Sequence, residues 1–210
     1  MLYRMLHLAA AILAVVALAD VRAVITPLGS VGQDEIARLK AMGPDAMPHL
    51  ARIYATSSED DRATIAWIMY GIGTKSPEAR AVLLQDVHTK NEKLRLQVQW
   101  ALGRVSDDTE IVDVLYDIMR NDSSALFRDK AACALAYDQI HLTEKQKVLL
   151  YRKLIDALAD PKPQVRGIAL QALQIHTGQT KGFHPTGPEE ERRNSIERWK
   201  LWLAEYERNL

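Results

Sequence analysis

The chain has 210 residues, with 27 Lys+Arg against 27 Asp+Glu and 48% hydrophobic residues, enough apolar content to bury a core in one ordinary domain. A formal net charge of zero sets up no global field toward nucleic acid or an anionic lipid surface, so neither binding class starts with electrostatic support. A single cysteine excludes an internal disulfide and a Cys-based zinc or iron–sulfur site within one chain.

At the N-terminus, Arg4 stands ahead of an uninterrupted apolar run from Leu8 to Ala19, and Ala17 and Ala19 frame an Ala-Leu-Ala step before Asp20. Charged, apolar, then small is the order of a secretory signal peptide. The run is 12 residues, well short of the ~20 that a spanning helix needs. Residues 1–19 are therefore expected to be a cleaved export signal. A second cut fits after Ala23, so the mature chain starts at Asp20 or Val24, in the periplasm or outside the cell. An uncleaved N-terminal membrane anchor is the minor alternative and the only expected route to membrane contact. Residues 24–43 read as a linker and an N-terminal capping helix at 33–42, with Ile36 and Leu39 turned inward.

From there one pattern occurs four times: an Arg, an apolar or small residue at plus 3, and two more at plus 6 and plus 7. The anchors are Arg62, Arg95, Arg128 and Arg166, spaced 33, 33 and 38 residues apart. They introduce Ile65/Ile68/Met69, Val98/Ala101/Leu102, Ala131/Ala134/Leu135 and Ala169/Ala172/Leu173. Six positions before each Arg stands a capping or turn residue, Thr56, Thr89, Asp122 or Asp160, and twelve before it Leu50, Leu83, Tyr116 or Leu154. Such a period belongs to a solenoid of helical hairpins. Apolar spacings of three and four throughout, with no period-two run, predict helices and no sheet. The helices are expected near 44–56, 59–71, 77–88, 92–105, 108–120, 124–137, 144–159, 162–176 and 188–208. Start signals are Ser76-Pro77, an Asp107-to-Glu110 capping box, a Thr143-to-Gln146 box and Thr186-Gly-Pro-Glu189; stop signals are Gly71/Gly73, Gly103 and Gly178. The five extra residues of the last spacing fall in a loop near Asp138–Thr143.

Gly43-Pro44-Asp45-Ala46-Met47-Pro48-His49-Leu50 resembles the first helix of a HEAT-like repeat, and Asp160-Pro-Lys-Pro-Gln-Val165-Arg166 through Leu173 resembles its second. The C-terminal residues Thr177-Gly178-Gln179, Gly182-Phe183, Pro185, Arg192, Ile196, Trp199 and Trp202 resemble the closing segment of small exported bacterial HEAT-repeat proteins of the PBS-lyase-like type. The resemblance implies an all-α, right-handed, armadillo-like α-solenoid of about four hairpins over residues 44–177. A loop and C-terminal capping helix would occupy 178–210. It implies binding of other macromolecules. Related repeats also occur in chromophore lyases and in nucleic-acid-binding repair proteins, which stand as alternatives. One departure from the pattern is Asp61, where the later copies have Leu94, Phe127 and Val165, so the first repeat is expected to pack less firmly.

Catalytic signatures are missing: there is no Gly-x-Ser-x-Gly, P-loop or dinucleotide fingerprint, and no two histidines beyond the leader have helical ligand spacing. His176 and His184, with Glu189 or Glu190 nearby, read as polar surface before they read as a metal site. No catalytic residue, metal or cofactor is assigned. The acidic runs Glu59-Asp60-Asp61 and Glu189-Glu190-Glu191 sit at helix starts, where the helix dipole explains them. The four phased arginines read as structural bonds to repeat turns, with a basic ladder for an acidic partner as the rival reading. Cys133 reads as a packed thiol. On a helical wheel, offset plus 5 from each Arg points away from the core, and it holds Trp67, Trp100, Cys133 and Gln171. Tyr70, Arg104 and Tyr137 lie near the same face. Trp, Tyr and Arg are the residue types enriched in binding hot spots. Trp67, Tyr70, Trp100, Arg104 and Tyr137 are therefore the candidate concave stripe for a protein partner, in a non-catalytic scaffold. At the C-terminus, Ile196, Trp199, Leu203 and Tyr206 form a stripe expected to close the core, with Trp202 beside it and a tryptophan-lined groove as its alternative.

Overall fold

The computed structural model describes residues 37, 39 and 41–210. The export-signal reading of residues 1–19 and the inward placement of Ile36 lie outside the described residues. A 3-10 turn, Gly43–Ala46, leads into α1 (Met47–Tyr54), followed by α2 (Glu59–Ile72), α3 (Pro77–Gln85), α4 (Glu92–Val105), α5 (Thr109–Asn121), α6 (Ala125–Tyr137), α7 (Glu144–Ala157), α8 (Pro163–Thr177) and α9 (Glu189–Arg208). Among the described residues all regular structure is helical. Each odd helix pairs with the even helix that follows, from α1/α2 to α7/α8, while α9 packs on α7. The odd helices build one layer and α2, α4, α6 and α8 the other.

The helix limits follow from local chemistry. Ser58, Ser76 and Asn91 cap α2, α3 and α4 by accepting from the backbone N–H three residues on, and the Thr143–Gln146 box closes both ways at α7. Gly73 (φ 65°) and Gly178 (φ 69°) end α2 and α8 in the left-handed region that suits glycine. Three expectations need correction. At α5 the cap is Asp108 rather than Asp107: the Asp108 carboxylate accepts from the Glu110 N–H at 3.0 Å, while the Asp107 carboxylate pairs with Lys75 at 2.9 Å. At α9 the residue before the helix is Pro188 rather than Thr186, with no side-chain cap. Gly103 is not a stop: α4 runs on through it to Val105.

The phased positions form the core. Ile65, Ile68, Met69, Val98, Ala101, Leu102, Ala131, Ala134, Leu135, Ala169, Ala172 and Leu173 are all at most 1% exposed. Burial of a Leu- or Ile-sized side chain contributes roughly 1.5–3 kcal/mol, so the even helices, which carry these residues, supply much of the cohesion. Leu39 is buried ahead of the first repeat and Trp199 and Leu203 beyond the last, while Ile196 and Tyr206 are partly buried. Asp61 is partly exposed where Leu94, Phe127 and Val165 are buried.

Polar bonds between turns set the register of the stack. Asp86 accepts from the Tyr54 hydroxyl at 2.6 Å and lies 3.2 Å from Arg62 Nε. Asp122 pairs with Arg95, and Asp160 accepts from Arg120 Nε at 3.0 Å. In each case a cation of one repeat meets a buried carboxylate in the turn of the next. Burial and the Asp86 bond push the Tyr54 phenol far above its ordinary pKa, so it stays a donor. Arg128 donates to the carbonyl of Asp122 at 2.7 Å and to Gln164 at 2.6 Å. Arg166 donates to the carbonyls of Asp160 (2.8 Å), Pro161 (3.0 Å) and Pro185 (2.7 Å). The phased arginines are thus bonded along the turn edge of the stack.

Candidate functional site

The outer surface of the even-helix layer is where the sequence places its aromatic stripe. Trp67 on α2 and Trp100 on α4 occupy the same register in successive repeats, and both are partly buried against the core rather than sealed within it. One helical turn along, the Tyr70 and Trp100 rings lie 6.2 Å apart at a 43° tilt. The Arg104 guanidinium sits 4.0 Å from the Tyr70 ring centroid, a cation–π arrangement. Four of the candidate residues therefore come from two adjacent helices, and Tyr70, Trp100 and Arg104 form one contact group.

Asp138, one residue past α6, anchors that group. Its carboxylate accepts from Arg104 Nε at 2.8 Å with Tyr70 close by, and it is only 3% exposed. Burial pushes the Asp138 carboxyl above its usual range while Arg104 and Tyr70 pull it back down. Burial also raises the Tyr70 phenol, with the Asp138 charge adding to it. His141 completes the arrangement: its Nε2 is 2.9 Å from both the Gly73 and the Arg104 carbonyl oxygens. Since both partners only accept, Nε2 carries the proton and donates to the two helix ends at once. The loop Asp138–Thr143 is thereby a strap over the C-terminal ends of α2 and α4.

Tyr137 stands apart from this group. It is 56% exposed and lines a shallow groove between α6 and α8 with Cys133, Ile168, Gln171 and Ile175. Leu126, Ile140 and Ile175 are also exposed apolar side chains on this layer or its loop. The wheel that singled out Trp67 places Leu126 and Ile175 on the outward face too, but reading only aromatics and arginine passes over them. Asp138, Ile140 and His141 carry no local signal beyond the length of their loop. Burial raises the Cys133 thiol above its ordinary pKa, which keeps it protonated and unreactive.

The remaining sequence candidates separate. His176 is turned inward, with Nε2 2.9 Å from the Leu135 carbonyl and its ring 5.6 Å from Tyr151, whereas His184 is exposed in the closing loop. Among the described residues no set of three or more His, Cys, Asp or Glu side chains is placed to hold a metal ion. At the C-terminal cap, Trp202 stacks on Tyr206 at 5.4 Å and meets Tyr151 and Trp199 at the same spacing, so these aromatics join α9 to α7. No described helix is long and apolar enough to cross a membrane.

A family model described as HEAT repeats matches residues 47–136. A designed armadillo repeat protein, solved in complex with the peptide (KR)4, is similar with a TM-score of 0.52 and 16% sequence identity. That similarity covers 90% of this chain and 90% of the designed one, and at such identity it speaks to fold alone. No curated protein matches the sequence. With the phased core and the two helical layers, these likenesses make the chain an all-α repeat solenoid, with HEAT repeats matched over residues 47–136.

Proposed function

We propose that the protein is a non-catalytic interaction module, exported from the cytoplasm, that docks a protein partner on the outer surface of its even-helix layer. One observation carries the reading: successive even helices present Trp67 and Trp100 in the same register, with Tyr70 and Arg104 locked beside them by Asp138. The exposed Leu126, Tyr137, Ile140 and Ile175 continue that surface toward the C-terminus, giving it more apolar area than scattered surface residues provide. Half-buried indoles offer large contact area at little cost in side-chain freedom, because packing against the core already restricts them. An extended segment or a helix of the partner would cross the rows of Trp and Tyr. Export is the reading of residues 1–19, with the mature chain starting at Asp20 or Val24.

The test compares the tagged full-length protein with a Trp67→Ala/Trp100→Ala variant shown by circular dichroism to be folded, each cross-linked in the envelope fraction of its own cells. A partner held by the first and lost by the second supports the assignment. The same partner held by both moves the docking site elsewhere. Mass spectrometry of the purified mature chain checks export separately: an intact Met1 in the envelope fraction contradicts cleavage.

A further inference from the structure

The junctions between repeats are not equivalent, and the one between the second and third hairpins stands out in both layers. In the odd layer, α1 packs along α3, α5 along α7 and α7 along α9, whereas α3 and α5 make no comparable approach. The ion pairs that reach from α3 and its leading turn to α5 and its leading turn are largely solvent-facing. Lys75 pairs with Asp107 at 2.9 Å, and Arg80 reaches Asp108 at 2.7 Å and Glu110 at 2.6 Å. Exposed ion pairs of this kind are screened by salt and hold far less firmly than an apolar interface. The Ser76 N–H bond to the Val105 carbonyl, at 2.9 Å, stays within the second hairpin, and a buried ion pair across the junction, Arg95–Asp122, sits at the turn edge.

The even layer carries a second, independent sign at the same junction. Gln99 on α4 is fully buried, and neither atom of its amide has a hydrogen-bond partner among the described residues. One turn further along the same face is Gly103, where a Cβ would stand 2.8 Å from Gln139 Nε2 and 2.9 Å from Asp138 Cβ. The Gln99 face therefore looks toward the third repeat. The corresponding residues of α2 and α6 are Ala66 and Ala132, buried and apolar. A buried amide without partners favours any motion that lets water or another group reach it. Below it, the Gly103–Asp138 contact and the His141 strap hold the C-terminal ends of α2, α4 and α6 together.

We infer that the solenoid has a built-in hinge between its second and third repeats. It pivots on the Gly103–Asp138 contact, opens on the odd-helix side and is held shut by the Lys75 and Arg80 ion pairs together with Arg95–Asp122 at the turn edge. Opening separates α3 from α5 and hydrates Gln99, while the strapped helix ends stay in contact. Trp67, Tyr70, Trp100 and Arg104 lie on one side of the hinge and Tyr137 on the other, so the motion changes the curvature any partner meets.

The test places spin labels at Gln85→Cys on α3 and Asp117→Cys on α5 of the full-length Cys133→Ala protein. A control pair at Arg52→Cys and Ala81→Cys spans α1 and α3. Distance distributions are measured as salt is raised from about 10 mM to about 1 M, which shortens the screening length from about 30 Å to about 3 Å. The hinge predicts that the α3–α5 distance lengthens and broadens with salt while the α1–α3 distance stays fixed. It predicts that Arg80→Ala reproduces the broad distribution at low salt, and that Gln99→Leu narrows it. An α3–α5 distance unmoved by both salt and Arg80→Ala overturns the hinge. So does equal broadening of the control pair, which would mean uniform flexing.

Discussion

Two mid-helix glycines should respond in opposite directions to the same substitution. Ala in place of Gly inside a helix gains roughly 0.5–1 kcal/mol from backbone entropy and propensity alone. At Gly167 in α8 the new methyl would meet only Pro185, at 3.9 Å, which is ordinary contact. Gly167→Ala should therefore keep the whole gain. At Gly103 the methyl would stand 2.8 Å from Gln139 Nε2, 2.9 Å from Asp138 Cβ and 3.1 Å from the Asp138 carbonyl carbon. Gln139 could rotate, although it would give up its bond to the Ala134 carbonyl. Asp138 has no such freedom, because Arg104 holds its carboxylate and its backbone follows directly from α6. Overpacking of this kind costs typically 1–3 kcal/mol, which outweighs the propensity gain. With about 2–4 °C per kcal/mol for a chain of this size, Gly167→Ala should melt about 1–4 °C higher than wild type. Gly103→Ala should melt lower by a few degrees. Calorimetry and urea titration of both variants give the comparison. A rise in both would show that the α4–α6 approach at Gly103 is not tight, and the argument for Gly103 as a pivot would go with it.

The His176 imidazole is held below its ordinary pKa, first by burial, with Lys147 adding to the effect and Glu144 and the Leu135 carbonyl opposing it. The unfolded chain then binds its proton near pH ~6.5 while the folded chain does not. Stability should fall as pH drops from that value toward the lower folded pKa, and His176→Gln should flatten the slope in urea titrations across that window. An unchanged slope would assign the acid sensitivity to other groups. Trp199 is fully buried with no partner for its indole N–H among the described residues. Trp199→Ala should cost ~3–5 kcal/mol and Trp199→Phe much less, since no hydrogen bond is lost; equal losses in denaturant titration would mean that the N–H is in use.

What the sequence made legible is what local chemistry decides. Ser76-Pro77 and Thr143–Gln146 place helix starts because a cap acts within three residues, and the phased Ile, Leu and Ala positions mark the buried face because helical periodicity is local. Trp67 and Trp100, which the same wheel turns away from the core centre, are partly buried against it. Local signals fail where the deciding partner is distant in the chain. Gly103 carries the same signal as a glycine that ends a helix, and only the approach of Asp138 shows why the helix continues through it. His141 reaches back 68 residues to Gly73, and Asp138 reaches 34 back to Arg104, so neither belonged to any motif. Asp107 and Asp108 carry the same capping signal, and only the helix start at Thr109 separates them.

The turn carboxylates also give the array a direction and a stop. Each of the first three repeats carries a cation that meets a carboxylate in the following turn, as Arg62, Arg95 and Arg120 meet Asp86, Asp122 and Asp160. Removing or inserting part of a unit would strand a buried charge on either side of the scar, so the chain can gain or lose length only by whole repeats. In the fourth repeat Arg166 needs no following carboxylate: it donates to the carbonyls of Asp160 and Pro161 in its own turn and of Pro185 in the closing loop. The closing loop thus takes the place that a further turn carboxylate would otherwise fill.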